Sequence, residues 1–239
     1  MRNSRLAPTD LANLAFRERS RQREKLLETF EPKNVPYTYN PYRQTVGDAV
    51  NLQFDLLGDD LQPTPWAALE RAVRAKCRGN LALIAVNLPV AKATHLYATK
   101  KNIAAAVIDG SPLRLAPGRS HDFWISLLLS QGDENVIMFP DARRQGHLTE
   151  LGRQVVFSAQ HERFRAANPD YESVALQVWR YANDDSRSVI VYDSSGIDLI
   201  PYAELVAEIT AIYQMLDDLT RMREEELRRK SYSIRGTLL

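Results

Sequence analysis

Hydrophobic and polar positions change their period several times along this chain, and each change marks an element. Near the N-terminus Leu11, Leu14, Ala15, Leu26, Leu27 and Phe30 recur at helical spacing behind Thr9 or Asp10, either of which can cap a helix. The polar run RERSRQREK sits in the middle, so the pattern predicts an amphipathic arm over residues 10 to 30. Residues 31 to 48, EPKNVPYTYNPYRQTVGD, carry three prolines and three tyrosines without a period, and read as a linker from which Tyr37, Tyr39 and Tyr42 can bury. A domain boundary near residue 45 then separates an arm and linker at 1–45 from an α+β domain at 46–200 and a C-terminal helix and tail at 201–239.

Within the middle segment the period alternates between two and 3.6. AVNLQFDLL (49–57), LALIAVNL (81–88), HLYAT (95–99), PLRLA (112–116) and NVIMF (135–139) read as strands. TPWAALERAVRAK (64–76) is a helix behind Thr64-Pro65, and NIAAAVID (102–109) is a short helix ended by Gly110. DFWISLLLS (122–130) fits either period, while residues 147–167 form a helix stopped by Asn168-Pro169. ESVALQVWRY (172–181) and RSVIVYD (187–193) flank a hairpin loop, with Val174, Leu176 and Val178 on one face and Ala175, Gln177 and Trp179 on the other. Leu205, Ile209, Ile212, Leu216 and Leu219 make one apolar seam along a helix from Pro201 to Lys230. The expected fold class is therefore α+β: a mixed, mostly antiparallel sheet of six to eight strands with flanking helices, an N-terminal helical arm and a long C-terminal helix. The terminal helices have too little apolar face to stand alone, so they pack on each other, on the domain or on another subunit.

Charge narrows the partners. Lys and Arg number 31 against 30 Asp and Glu, which gives no global field toward nucleic acid or an anionic membrane. Nucleic-acid contact would need a local patch such as Arg143 and Arg144 in DARRQGH, and is not favoured. The single cysteine, Cys77, reads as a core residue and excludes an intramolecular disulfide. The four histidines lack metal-ligand spacing, no P-loop or nucleophile elbow is present, and no metal is expected. The start lacks a secretory pattern and no apolar run suggests a membrane span, so a cytoplasmic, bacterial protein is expected.

The segment 94–115, THLYATKKNIAAAVIDGSPLRL, resembles the ADP-ribosyltransferase superfamily through Leu96, Tyr97, Thr99, Asn102, Ile103, Val107, Gly110 and Leu113, with Ala98 where that family has a histidine. The resemblance implies NAD in a cleft of split sheets, with Tyr97, Thr99 and Asn102 at the cofactor and His95, Trp124 (or Phe123) and Glu172 at the reacting centre. A carboxylate at Glu172 would then steady an oxocarbenium charge. Glu162 and Arg165 with the later Trp179 resemble, more distantly, ribosome-inactivating N-glycosidases. Each of these residues also has an ordinary structural role, and the residue-by-residue reading favours a non-catalytic subunit or regulator of a bacterial assembly. It would use no cofactor and would dock on a protein partner, or on itself, through residues 10–30 and 201–230. A transferase-like effector and a nucleic-acid binder are the alternatives.

Overall fold

The computed structural model describes residues 6–30, 38–52 and 63–236. Among them a five-stranded sheet has the order β1 (Ala104–Val107), β4 (Leu127–Gln131), β5 (Glu134–Asp141), β6 (Ala175–Tyr181) and β7 (Val189–Asp193), and β2 (Leu113–Ala116) with β3 (Arg119–His121) forms a small second sheet. Only β5 and β6 run parallel, joined by a crossover that contains helix α6 (Glu150–Gln160). The other pairs are antiparallel, so the class is α+β with a mixed, mostly antiparallel sheet.

Pleating divides the core in two. Ile137, Phe139, Leu176 and Val178 face α1 (Pro8–Leu14), α2 (Arg19–Leu27), α6 and α7 (Tyr202–Gly236). Leu127, Leu129, Val136, Met138, Trp179 and Tyr181 face α3 (Asn40–Ala49), α4 (Trp66–Lys76) and α5 (Leu81–Lys101). The strand alternation read along 172–181 sorts its residues to these same two faces.

Several local expectations are corrected. The N-terminal arm is two helices, not one. Pro8 occupies the first turn of α1 in place of a Thr9 or Asp10 cap, and Phe16, at φ 60, breaks the chain before α2. The linker contains α3, started by Pro41, and Tyr42 is fully buried on it. Of the strand expected at 49–57, Leu52 makes an isolated bridge to Ala105, and residues 53–57 lie outside the described residues.

The strands expected at 81–88 and 95–99 are one helix, α5. The Asn80 side chain accepts from the Leu83 N–H at 3.1 Å to start it, and Asn102, left-handed at φ 50, ends it. Pro89 withdraws one ladder donor opposite Ala85, which is exposed, so water can serve the freed carbonyl. Sequence periodicity was misleading here because α5 packs against both α3 and α4 and carries apolar residues nearly all round. The same length and composition would pass for a membrane span, although Asn87, Thr94 and His95 are buried within the protein. The left-handed turn at Asn102 also converts the helix expected at 102–109 into β1, which pairs with β4 in the register Ala104↔Ser130.

The terminal helices pack as the sequence requires. Leu205, Ile209, Ile212, Leu216 and Leu219 are all buried in the core that holds α1 and α2. Glu208 of α7 joins the two ends of the chain, accepting from the Phe16 N–H (3.0 Å), both Arg19 terminal nitrogens (3.0 and 2.8 Å) and the Gln22 amide (2.6 Å). Asn13 ties α1 to the start of α6, donating to the His147 carbonyl (3.0 Å) and accepting from the Thr149 N–H (2.9 Å).

Candidate functional site

The carboxyl ends of parallel strands leave a crevice where the backbone diverges, and in open sheets ligands collect there. Here β5 ends at Asp141, and a groove runs past that end in two lobes of about 500 and 490 Å³ that share Arg43 and Pro140. Asp122, Trp124, Ser126 and Phe139 line the first lobe; Thr9, Tyr39, Asn40 and Arg143 line the second. Helix α3 carries Arg43 across the groove with its guanidinium 5.9 Å from the centre of the Phe139 ring.

The charges in this groove are close and opposed. Burial holds the Arg43 pKa below its usual value, against the favourable charges of Tyr42, Asp141 and Asp122. Asp141 is buried and accepts from the Leu148 N–H at 2.7 Å, yet its Oδ1 has no partner among the described residues. Burial raises its pKa above the ordinary carboxylate value; the Leu148 N–H and the charges of Arg143, His147 and Arg180 only partly offset this. Asp122 likewise has a buried Oδ1 without a partner. For Arg143 burial acts to lower the pKa, but the two-pronged pair with Asp10 of α1 outweighs it and the net shift is upward. Arg187 is fully buried and donates to the carbonyls of Ala142 and, at 2.9 Å, Ala182. Asp141 and Arg187 lie behind the groove wall, and the groove itself can seat a polar group between the Arg43 and Arg143 guanidinium groups and the Asp122 carboxylate. Among the described residues no cluster of three or more His, Cys, Asp or Glu side chains is arranged to hold a metal ion.

The residues expected at a reacting centre are not gathered in it. His95 lies on α5 with its ring 5.9 Å from that of Trp66, and Tyr97 stacks edge-on against Trp179 at 5.0 Å, both in the α3–α5 layer. Thr99 and Asn102 are exposed at the end of α5. Trp124 is across the sheet in the other core, where its Nε1 donates to the Gly110 carbonyl at 3.1 Å and its ring meets Phe164 at 5.2 Å; Phe123 is buried in the same core. Glu172 is exposed just after a short 3-10 turn at Pro169–Tyr171. Of the residues expected at a site, Trp124 and Arg143 alone line the groove, one in each lobe. Arg144 instead donates to the Asn183 carbonyl at 3.1 Å. Glu162 and Arg165 sit on a π turn at His161–Arg165, where Arg165 donates to the Val174 carbonyl, and Trp179 faces away from them across the sheet.

Sequence reasoning missed Arg43, Asp122 and Asp141. Asp141 had a signal, since it follows an apolar strand directly at the head of a basic loop. Arg43 had none, because the segment that carries it reads as a linker.

Comparison with known proteins assigns the chain differently from the resemblance at 94–115. A family described as "Sliding clamp-binding bacterial toxin SocB" matches residues 9–226. The chain is also 28% identical over 231 residues to the DNA replication inhibitor toxin SocB of Caulobacter vibrioides (strain NA1000 / CB15N), covering 96% of this chain and 95% of that protein. No solved structure matches. The ADP-ribosyltransferase resemblance is thereby corrected. Its supposed first strand is α5 and its supposed helix is β1, so the motif fits letters whose backbone is of the opposite kind.

Proposed function

Because the chain belongs to the SocB family of sliding clamp-binding bacterial toxins, we propose that it blocks DNA replication by occupying the sliding clamp in the bacterial cytoplasm. It acts through a protein contact and turns over no substrate. The observation that carries this reading is the extent of the family match, which runs from α1 to the outer part of α7 and so includes every layer of the fold. The side chains near the groove add support. Arg143, Arg144 and Arg187 are each already held by a carboxylate or a carbonyl of the same chain, which suits a rigid binding protein.

The apolar seams of the terminal helices are buried inside the protein, so the contact falls on other surface. Met222 and Leu227 are 47% and 59% exposed on the outer part of α7, and Phe54, Leu56 and Leu57, grouped around Asp55 in the sequence, lie outside the described residues.

The test is titration of the purified full chain onto the purified sliding clamp of the same bacterium, followed by calorimetry, with primer extension by a clamp-dependent polymerase as the functional readout. Saturable binding that stops clamp-dependent extension, and spares clamp-independent extension, is expected. Alanine at Phe54, Leu56 and Leu57 together, or glutamate at Met222 and Leu227 together, shows which stretch makes the contact. Absence of binding at micromolar clamp, or inhibition that persists without the clamp, refutes the proposal.

A further inference from the structure

Strand β7 is the last strand of the five-stranded sheet, and the phase of its ladder shows which backbone groups remain free. Before the strand the Ala182 N–H donates to the Ser188 carbonyl at 2.9 Å, and after it the Ser194 N–H donates to the Leu176 carbonyl at 3.1 Å. The register pairs Val178 with Tyr192 and Arg180 with Ile190. Antiparallel ladders use every second residue, so Ser188, Ile190, Tyr192 and Ser194 bond to β6. The N–H and C=O groups of Val189, Val191 and Asp193 point out of the sheet, and no hydrogen bond among the described residues uses them. The opposite edge is not bare in this way: Leu52 bridges to Ala105, whose N–H donates to the Asn51 carbonyl.

The free edge reads Val-Ile-Val-Tyr-Asp, with no proline, lysine or bulge. Those are the usual protections of an edge strand, and without them a row of unpaired groups is a template for another strand. An added strand would also have to suit both faces. Val189 and Val191 pack at the border of the α3–α5 core, and Tyr192 at the border of the α6–α7 core, with Ile190 39% exposed beside it. A partner therefore needs apolar side chains at consecutive positions, and β7 itself is such a strand.

We propose that β7 pairs antiparallel with β7 of a second copy of this chain, about a two-fold axis at Val191, joining the two sheets into one. Val191 then exchanges both backbone hydrogen bonds with its own counterpart, and Val189 does so with Asp193 of the other copy. Ile190 meets Tyr192 of the other copy at the positions where side chains approach most closely. The single charge of the strand, Asp193, faces a valine. The two Asp193 carboxylates end four residue steps apart, about 14 Å at roughly 3.4 Å per residue, so no like charges oppose. A slide of two residues in either direction leaves an outward-facing position of each strand beyond the end of its partner, which selects the register centred on Val191. This contact is independent of the clamp reading and uses a surface that reading does not.

The experiment is sedimentation equilibrium of the full chain from about 1 to about 200 µM, since a strand pair buries less than the roughly 1,600 Å² of a standard interface and an association in the micromolar range is expected. The expected result is a monomer–dimer equilibrium in which the amides of Val189, Val191 and Asp193 exchange with solvent more slowly as concentration rises. V191P removes an N–H that the chain's own ladder does not use, at an outward edge position where proline is tolerated. I190K leaves the backbone intact and sets a charge against Tyr192 of the other copy. Each variant is expected to weaken dimerisation at least about tenfold without changing the melting temperature, and if V191P misfolds, I190K decides. The proposal is overturned by a wild-type chain that stays monomeric throughout, or by a dimer that I190K leaves unchanged. It is also overturned if the edge proves to bind a different protein while the chain alone is monomeric.

Discussion

Removing the Glu208 carboxylate should release the N-terminal helices from α7, and the structure fixes roughly how much that costs. Glu208 is 8% exposed and accepts from a backbone N–H, a buried amide and a guanidinium. In E208A the Phe16 N–H, which is part-buried, loses its partner while the residue remains at φ 60, at a cost in the lower half of the about 1–3 kcal/mol range for an orphaned buried donor. The Gln22 amide keeps its bond to the Leu14 carbonyl at 3.0 Å, so its loss falls at the low end of the same range. The Arg19 side chain is 53% exposed and rehydrates, which limits its share to under about 1 kcal/mol. Together these give about 3 kcal/mol, or roughly 6–12 °C in melting temperature for a chain of this size. E208Q keeps one acceptor for Gln22 and Phe16 but turns an amide toward Arg19, and should lose about half as much. Urea unfolding followed by circular dichroism measures the stability, and hydrogen exchange at Phe16 and Gln22 locates it. If E208A unfolds within about 0.5 kcal/mol of wild type, or if exchange at Phe16 is unchanged, the junction does not hold the arm and the reasoning fails.

Two further perturbations follow from the groove and its walls. In G110A the new Cβ would lie 2.8 Å from Ser126 Cβ and 3.0 Å from Ser126 Cα, too close to the backbone to be relieved by a rotamer; a loss of about 1–3 kcal/mol is expected, with a changed Trp124 fluorescence because its Nε1 donates to the Gly110 carbonyl. Unaltered stability and emission would show that the loop shifts freely. Asp141 supplies a pH dependence: its pKa is raised by burial, so the ionised form is less favourable folded than unfolded, and stability present below the unfolded value near 4 is lost as pH rises through the folded one. D141N can still accept from Leu148, so its stability relative to wild type should rise with pH above about 4 in urea midpoints. A gap that stays constant, or that narrows with pH, contradicts the assignment.

Where an element has one buried face, its residues announced it. The step of Leu205, Ile209, Ile212, Leu216 and Leu219, the alternation through Val174, Leu176 and Val178, and the Thr64-Pro65 start of α4 were all legible, because burial on a single side imposes a period on the chain. Helix α5 was not legible. Covered by α3 and α4 as well as the sheet, it has no polar stripe, and Pro89 divided it into runs of strand length. The false nucleotide motif at 94–115 grew directly from that error. Of the groove, Trp124 and Arg143 were singled out by residue type, whereas Arg43 stood in a stretch whose helix depends on neighbours far away in sequence: the Tyr42 hydroxyl bonds to Thr94 at 3.1 Å and to Tyr181 at 2.5 Å.

Composition and periodicity were enough for the class of fold, the near-neutral charge that argues against a nucleic-acid field, and the apolar seam that brings α7 onto the body. These are sums or periods, and they survive without knowledge of what lies opposite each residue. Tertiary structure alone decided that His95 and Trp124 fall on opposite sides of the sheet, that Glu208 clasps an arm nearly two hundred residues away, and that β7 is an edge with its outward backbone unpaired. Those outcomes depend on strand order and on which groups face each other across the core, and a linear chain records the composition of a contact without recording its partner.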